Sequence, residues 1–183
     1  ACTGTAACVV PMTAAKAVTA TFTLAPLSLA SALDNGALVG STGGNAVWTA
    51  QTAVTSDGVD AAASGTITHG QSSVLQTTVV GPGVLVYTWK VSSEAFWDQL
   101  TFLFDGFAQS GAISGETAWA EQAWSIPAGV HVLQWTYRKD STLSAGLDRA
   151  WLDNVRFTAS AAATPNAATP STAPVVPTGR GRK

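Results

Sequence analysis

The stretch from Ser72 to Gly106 constrains the fold more than any other part of the chain. Three runs rich in Val, Leu, Thr and aromatic residues are separated there by Gly81-Pro82-Gly83 and by Ser92-Ser93-Glu94. A fourth begins after Asp105-Gly106, a dipeptide suited to the type I′ turn of a hairpin. In the third run Leu100, Phe102 and Phe104 share one face, and Gln99 and Thr101 take the other. That alternation is the mark of a half-buried antiparallel strand. The second run, 84–91, is apolar on both faces apart from Thr88 and Lys90, which suits the centre of a sandwich.

The same punctuation continues on either side. Strands are predicted at 37–40, 47–51, 65–68, 72–80, 84–91, 99–104, 107–113, 118–126, 130–138 and 150–158. Gly43-Gly44, Asp57-Gly58, Pro127-Ala128-Gly129 and Ala145-Gly146 supply the turns between them. The segment 27–35, LSLASALDN, reads as a short strand or turn leading in, and no ten-residue stretch keeps a helical period. The expected class is all-β: an antiparallel two-sheet β-sandwich of the jelly-roll kind over 27–158. A short β segment at 1–24 precedes it, and an extended Pro/Thr/Ala-rich tail or linker at 159–183 follows. A chain of 183 residues has room for one such domain.

Charge narrows the function. Only 11% of the residues are charged, less than half the usual share of about 25%. Between Leu27 and Thr158 eleven acidic side chains face five basic ones, a net of −6. A nucleic-acid-binding domain carries the opposite sign on its folded part, so no nucleic-acid partner is expected. No apolar run reaches 18 residues, and the chain is not expected to span a membrane. Cys2 and Cys8 are expected to close a small disulfide loop around Thr3-Gly4-Thr5, which an oxidising compartment favours.

Two resemblances give the chain an address. Residues 1–24 resemble the closing third of a bacterial internalin-type B repeat: Cys2, Cys8, Val9, Val10 and Met12 are followed by Ala14-Ala15-Lys16 and Val18-Thr19-Ala20-Thr21-Phe22. Residues 33–157 resemble a jelly-roll module of large bacterial surface and secreted proteins, related to MAM and concanavalin-like domains. The residues that carry this include Leu33-Asp34-Asn35, Thr42-Gly43-Gly44, Asp57-Gly58, Trp89-Lys90-Val91, Pro127-Ala128-Gly129-Val130-His131, Lys139-Asp140 and Trp151-Leu152-Asp153-Asn154-Val155. The resemblances imply a secreted or cell-surface protein and a sandwich fold, and no particular activity.

For chemistry, His69 and His131 read as surface residues, and no Ser sits in a Gly-x-Ser-x-Gly elbow. Glu94 with Asp98, or Glu116 with Glu121, lacks the apolar neighbours an acid–base pair needs. The chain is therefore read as no enzyme and as needing no cofactor. Oxygen-rich turns suit calcium: Asp57 and Asp60 lie on one turn, and Asp153 shares its strand face with Trp151, Val155 and Phe157. Leu152-Asp153-Asn154-Val155 resembles the last-strand signature with which jelly-roll carbohydrate-binding modules hold a structural calcium, and Asp34 can join it. Hydrogen bonding of Asp153 to loop backbone is the equal alternative. For sugar, Trp97, Trp119 and Trp124 are the aromatic candidates. Two functions follow. The first is a structural module of a surface assembly or fibre, joined to copies of itself through Val18, Thr19, Ala20, Thr21 and Phe22 or through the tail. The second is a carbohydrate-binding or adhesion module of a secreted protein, with polysaccharide as partner.

Overall fold

The computed structural model describes residues 26–38 and 40–160, with residues 7, 9, 11, 13–15, 17 and 19 described singly. Cys2, Cys8, Val18, Ala20, Thr21, Phe22 and the tail 161–183 lie outside the described residues; Thr19 is exposed and belongs to no strand.

The chain opens with one turn of helix, α1 (Leu29–Ala32), where a strand or turn was expected. Ser28 caps it by accepting the Ser31 N–H at 3.1 Å. Eight strands follow among the described residues: β1 (Ser41–Gly44), β2 (Thr49–Gln51), β3 (Ala61–Ala63), β4 (Ser72–Ser92), β5 (Gln99–Phe104), β6 (Phe107–Ala108), β7 (Ala120–Arg138) and β8 (Arg149–Ala159). All their pairings are antiparallel.

Two of these strands are far longer than the sequence pattern suggests. Gly81-Pro82-Gly83 does not end a strand. The ladder between β4 and β7 runs from Ser72↔Arg138 to Trp89↔Ala120, with a register shift between Gly81 and Gly83. Pro127-Ala128-Gly129 on β7 likewise lies inside its strand, opposite that shift. Both strands bend there, which is how one strand serves two sheets. The first half of β4 pairs with β1 and with the second half of β7, which β5 and then β6 extend. The second half of β4 pairs with the first half of β7 and with β8, which β3 and β2 extend.

The two layers face each other across an aromatic core. Tyr87 of one layer lies 5.2 Å, centroid to centroid, from Trp135 of the other and 5.4 Å from Phe102. Leu75, Leu85, Leu100, Leu133, Leu152 and Val155 fill the space around them. The odd-numbered residues of β4 are buried on both sides of the bend, so a single alternation feeds both layers.

The bend depends on glycine. A β-carbon on Gly81 would overlap the Pro127 carbonyl oxygen, a backbone atom held by its own strand. Gly81→Ala is therefore expected to cost about 1–3 kcal/mol, read as a lower thermal midpoint. An unchanged midpoint would mean that the two strands can spread at the bend.

Candidate functional site

The halves of β4 and β7 fold back on each other, so the bend closes one end of the sandwich. At the other end two loops cross between layers: residues 93–98 from β4 to β5, and residues 139–148 from β7 to β8. An ion network ties them together. The Lys139 ammonium, 1% exposed, donates to Asp98 Oδ2 at 2.8 Å and to Asp148 Oδ1 at 2.5 Å. Asp98 is wholly buried, and its second oxygen accepts the Asp140 N–H at 2.8 Å. Burial works to lower the Lys139 pKa, but its hydrogen bonds to Asp148 and Asp98 and their charges outweigh that and raise it. Glu94 is nearby, and its pKa is raised by burial and by the charges of Asp140 and Asp98.

The first of these loops carries two exposed aromatics side by side, Phe96 at 82% and Trp97 at 63%. Phe96 has φ +72°, a conformation a bulky residue rarely adopts and one that clusters at functional sites. It is held by two bonds: its N–H donates to Ser114 Oγ at 2.8 Å, and its carbonyl accepts from Gln99 Nε2 at 3.1 Å. Beside it lies a cavity of about 250 Å³ lined by Trp97, Gln99, Thr101, Arg138 and Asp140. Strand alternation explains the polar wall: Leu100 and Phe102 point into the core, so Gln99 and Thr101 point out. Gln99 is also the cross-strand partner of Arg138. Asp140 accepts the Thr142 N–H at 2.8 Å, while the Arg138 guanidinium has no hydrogen bond or ion pair among the described residues.

The other predicted aromatics are not part of this site. Trp124 is half-buried and packs 5.2 Å from Phe102, and its indole N–H donates to the Tyr87 hydroxyl at 3.2 Å. It belongs to the core. Trp119 is half-buried ahead of β7 and does not line the cavity. Phe96 was missed because its exposure depends on its left-handed backbone, and the loop sequence does not announce that.

Three of the four predicted calcium ligands come together. Asp34, Asp57 and Asp153 each place a carboxylate oxygen within 4.8 Å of the others; Asp34 and Asp57 are exposed and Asp153 is buried. β8 bulges here, with Asn154 at φ +52° and a register shift opposite Val86 and Thr88. Asp153 therefore does not share a face with Val155 and Phe157 as alternation implied: they join the core, while Asp153 lies opposite Thr88 on the outer face with Trp151. Asp153 accepts the Ser56 N–H and the Asn154 N–H, both at 2.7 Å. Its pKa is raised to about 6, first by burial and then by the neighbouring Asp57 charge and the Asp34 side chain, against the pull of those two N–H groups. An all-oxygen set with one buried member fits a hard cation such as calcium. Asp60 stands outside this group. It is buried and accepts from Ser31 Oγ at 2.9 Å, which ties α1 to the neighbouring strand β3. The acidic group Glu94, Asp98 and Asp140 is already served by the Lys139 ammonium.

His131 Nδ1 pairs with Asp105 Oδ2 at 2.8 Å, and Asp105 also accepts the Val132 N–H. No Ser or Cys hydrogen-bonds to this pair among the described residues, and it pins the β5–β6 turn against β7. His69 is an exposed turn residue.

The sequence matches no protein-family profile and no curated protein. Solved structures do resemble this one. The secreted serine protease VesC from Vibrio cholerae superposes with a TM-score of 0.57 at 20% identity, over 73% of this chain. This chain spans only 27% of VesC. The K1 cleaved adhesin domain of Lys-gingipain from Porphyromonas gingivalis gives 0.49 at 15% identity, covering 68% of this chain and 94% of that one. TmCBM61, solved with β-1,4-galactotriose, gives 0.47 at 12% identity over 75% and 97%. This is a β-sandwich module. At these identities the likeness is one of fold.

Proposed function

We propose that the chain is a non-catalytic carbohydrate-binding or adhesion module of a secreted or surface protein, with its sugar site at the Trp97 cavity. One observation carries the reading. Trp97 presents a mostly exposed indole, stacked on no other ring among the described residues, at the rim of a cavity whose other sides are amide, hydroxyl, guanidinium and carboxylate. An apolar ring face with polar groups around it matches a sugar, which has an apolar C–H face and a hydroxyl edge. The cavity is smaller than the roughly 300–1,000 Å³ of drug-sized sites, so it suits one or two sugar rings. The assembly reading has less support, because it rests on Val18–Phe22 and the tail, which apart from Thr19 lie outside the described residues. Among the described residues no helix is long and apolar enough to cross a membrane. A structural calcium at Asp34, Asp57 and Asp153 forms part of the proposal, with a role in stability and none in sugar contact.

Trp97→Ala is the test. Binding to polysaccharides, read by affinity electrophoresis and calorimetry, is expected to weaken at least tenfold, about 1.4 kcal/mol. The melting temperature should hold, because the side chain is exposed. Unchanged binding would put the site elsewhere on the module.

A further inference from the structure

We infer that the Trp97 cavity selects neutral sugars and rejects uronic acids and other anionic ones. The inference rests on the carbohydrate reading above and goes beyond it to the ligand's charge. Two features of the cavity act together. Arg138 offers a guanidinium with no partner among the described residues. Asp140 lines the same cavity, and its carboxylate, which takes the Thr142 N–H at 2.8 Å and the Thr142 hydroxyl at 3.4 Å, keeps lone pairs for a ligand. A neutral sugar has hydroxyls that both donate and accept, so it can receive from Arg138 and give to Asp140 at once. A carboxylate on the ligand can only accept. It would pair with Arg138 while lying against Asp140, an acid it cannot satisfy.

The surroundings strengthen the bias. Glu94 and Asp98 each place a carboxylate oxygen within 4.8 Å of one on Asp140. Asp148 adds a fourth acid through Lys139. Against these four stand Arg138 and Lys139, and the Lys139 ammonium is already spent on Asp98 and Asp148. A lone arginine would suggest an acidic ligand, since guanidinium and carboxylate pair in a bidentate fork. Here the field at that arginine is set by a surplus of carboxylates, and a second anion gains the fork only by facing them.

Calorimetry on the whole chain with two sets of probes tests this: neutral gluco-, galacto-, manno- and xylo-oligosaccharides, and oligogalacturonate. At least one neutral series should bind tenfold or more tightly than oligogalacturonate. Binding of that series should change little between low and high salt, whereas the rejection of oligogalacturonate should soften as salt screens the acids. Asp140→Asn, checked for an intact melt, should weaken the neutral ligand severalfold and raise oligogalacturonate binding, so the ratio collapses. Tight oligogalacturonate binding that Trp97→Ala abolishes would overturn the neutral selection and leave the sugar site standing. If no sugar of either class binds, the site reading falls and the selection with it.

Discussion

Lys139→Met is expected to destabilise the domain by about 3–5 kcal/mol, measured as a shift in urea midpoint at constant slope. The side chain is 1% exposed and holds two carboxylates, one of them on a wholly buried Asp98. Removing the ammonium leaves the Asp98 carboxyl with the Asp140 N–H as its one remaining partner among the described residues. It also unties the two crossing loops that carry Trp97 and Asp140. The partner substitution separates stability from site geometry. Asp148→Asn removes the partly exposed carboxylate and keeps the Lys139–Asp98 pair, so it should cost about 1 kcal/mol. A Lys139→Met protein as stable as the parent would show that water reaches Asp98.

The second large effect centres on Asp153. Its folded pKa of about 6 stands above the ordinary carboxylate value near 3.8, so the folded protein holds the proton more tightly than the unfolded chain does. Ionisation therefore opposes folding. The stability that protonation confers is fully present below about pH 4 and is lost as the pH rises through about 6. A difference of this size amounts to on the order of 3 kcal/mol at neutral pH. A cation between Asp34, Asp57 and Asp153 would cancel that loss. Calcium at a hundred times its dissociation constant should then stabilise by about 2.7 kcal/mol at pH 7, and should do little at pH 4.5. Asp153→Ala should remove the calcium response and leave the Ser56 and Asn154 N–H groups unpaired, at about 1–3 kcal/mol each where water cannot reach them. Melting curves with calcium and with chelator, at both pH values, read all of this. Equal curves at pH 7 would leave Asp153 as a hydrogen-bond hub for the loop.

The strands were legible where alternation met a turn signal, as in β5, where Leu100, Phe102 and Phe104 face inward as read. Gly81-Pro82-Gly83 misled because glycine and proline mark a bulge inside a strand as readily as its end. Only the partner ladder, resuming on the far side, tells the two apart. The burial of Asp153 was expected, but its aim was misread: alternation put it with Val155 and Phe157, and the bulge at Asn154 turns it to the outer face, under the loop that carries Ser56 and Asp57. Asp57 and Asp60 looked equivalent on one turn, and the three-residue spacing sends one to Asp153 and the other to Ser31. Lys139 gave no sign at all. A Lys-Asp pair after a strand reads as a solvated turn, and its burial depends on Asp98 and Asp148, which arrive from 41 and 9 residues away.

The course of β8 sets where the chain leaves the sandwich. The strand starts beside the crossing loops, where Arg149 pairs with Ser92, and finishes at the bend, where Ala159 pairs with Gly83 and the Ser160 N–H donates to the Pro82 carbonyl. Eleven residues of strand span roughly 35 Å. A tether attached beyond Ser160 would therefore pull from the pole opposite Trp97. A module anchored on that side holds its aromatic rim outward, toward whatever approaches.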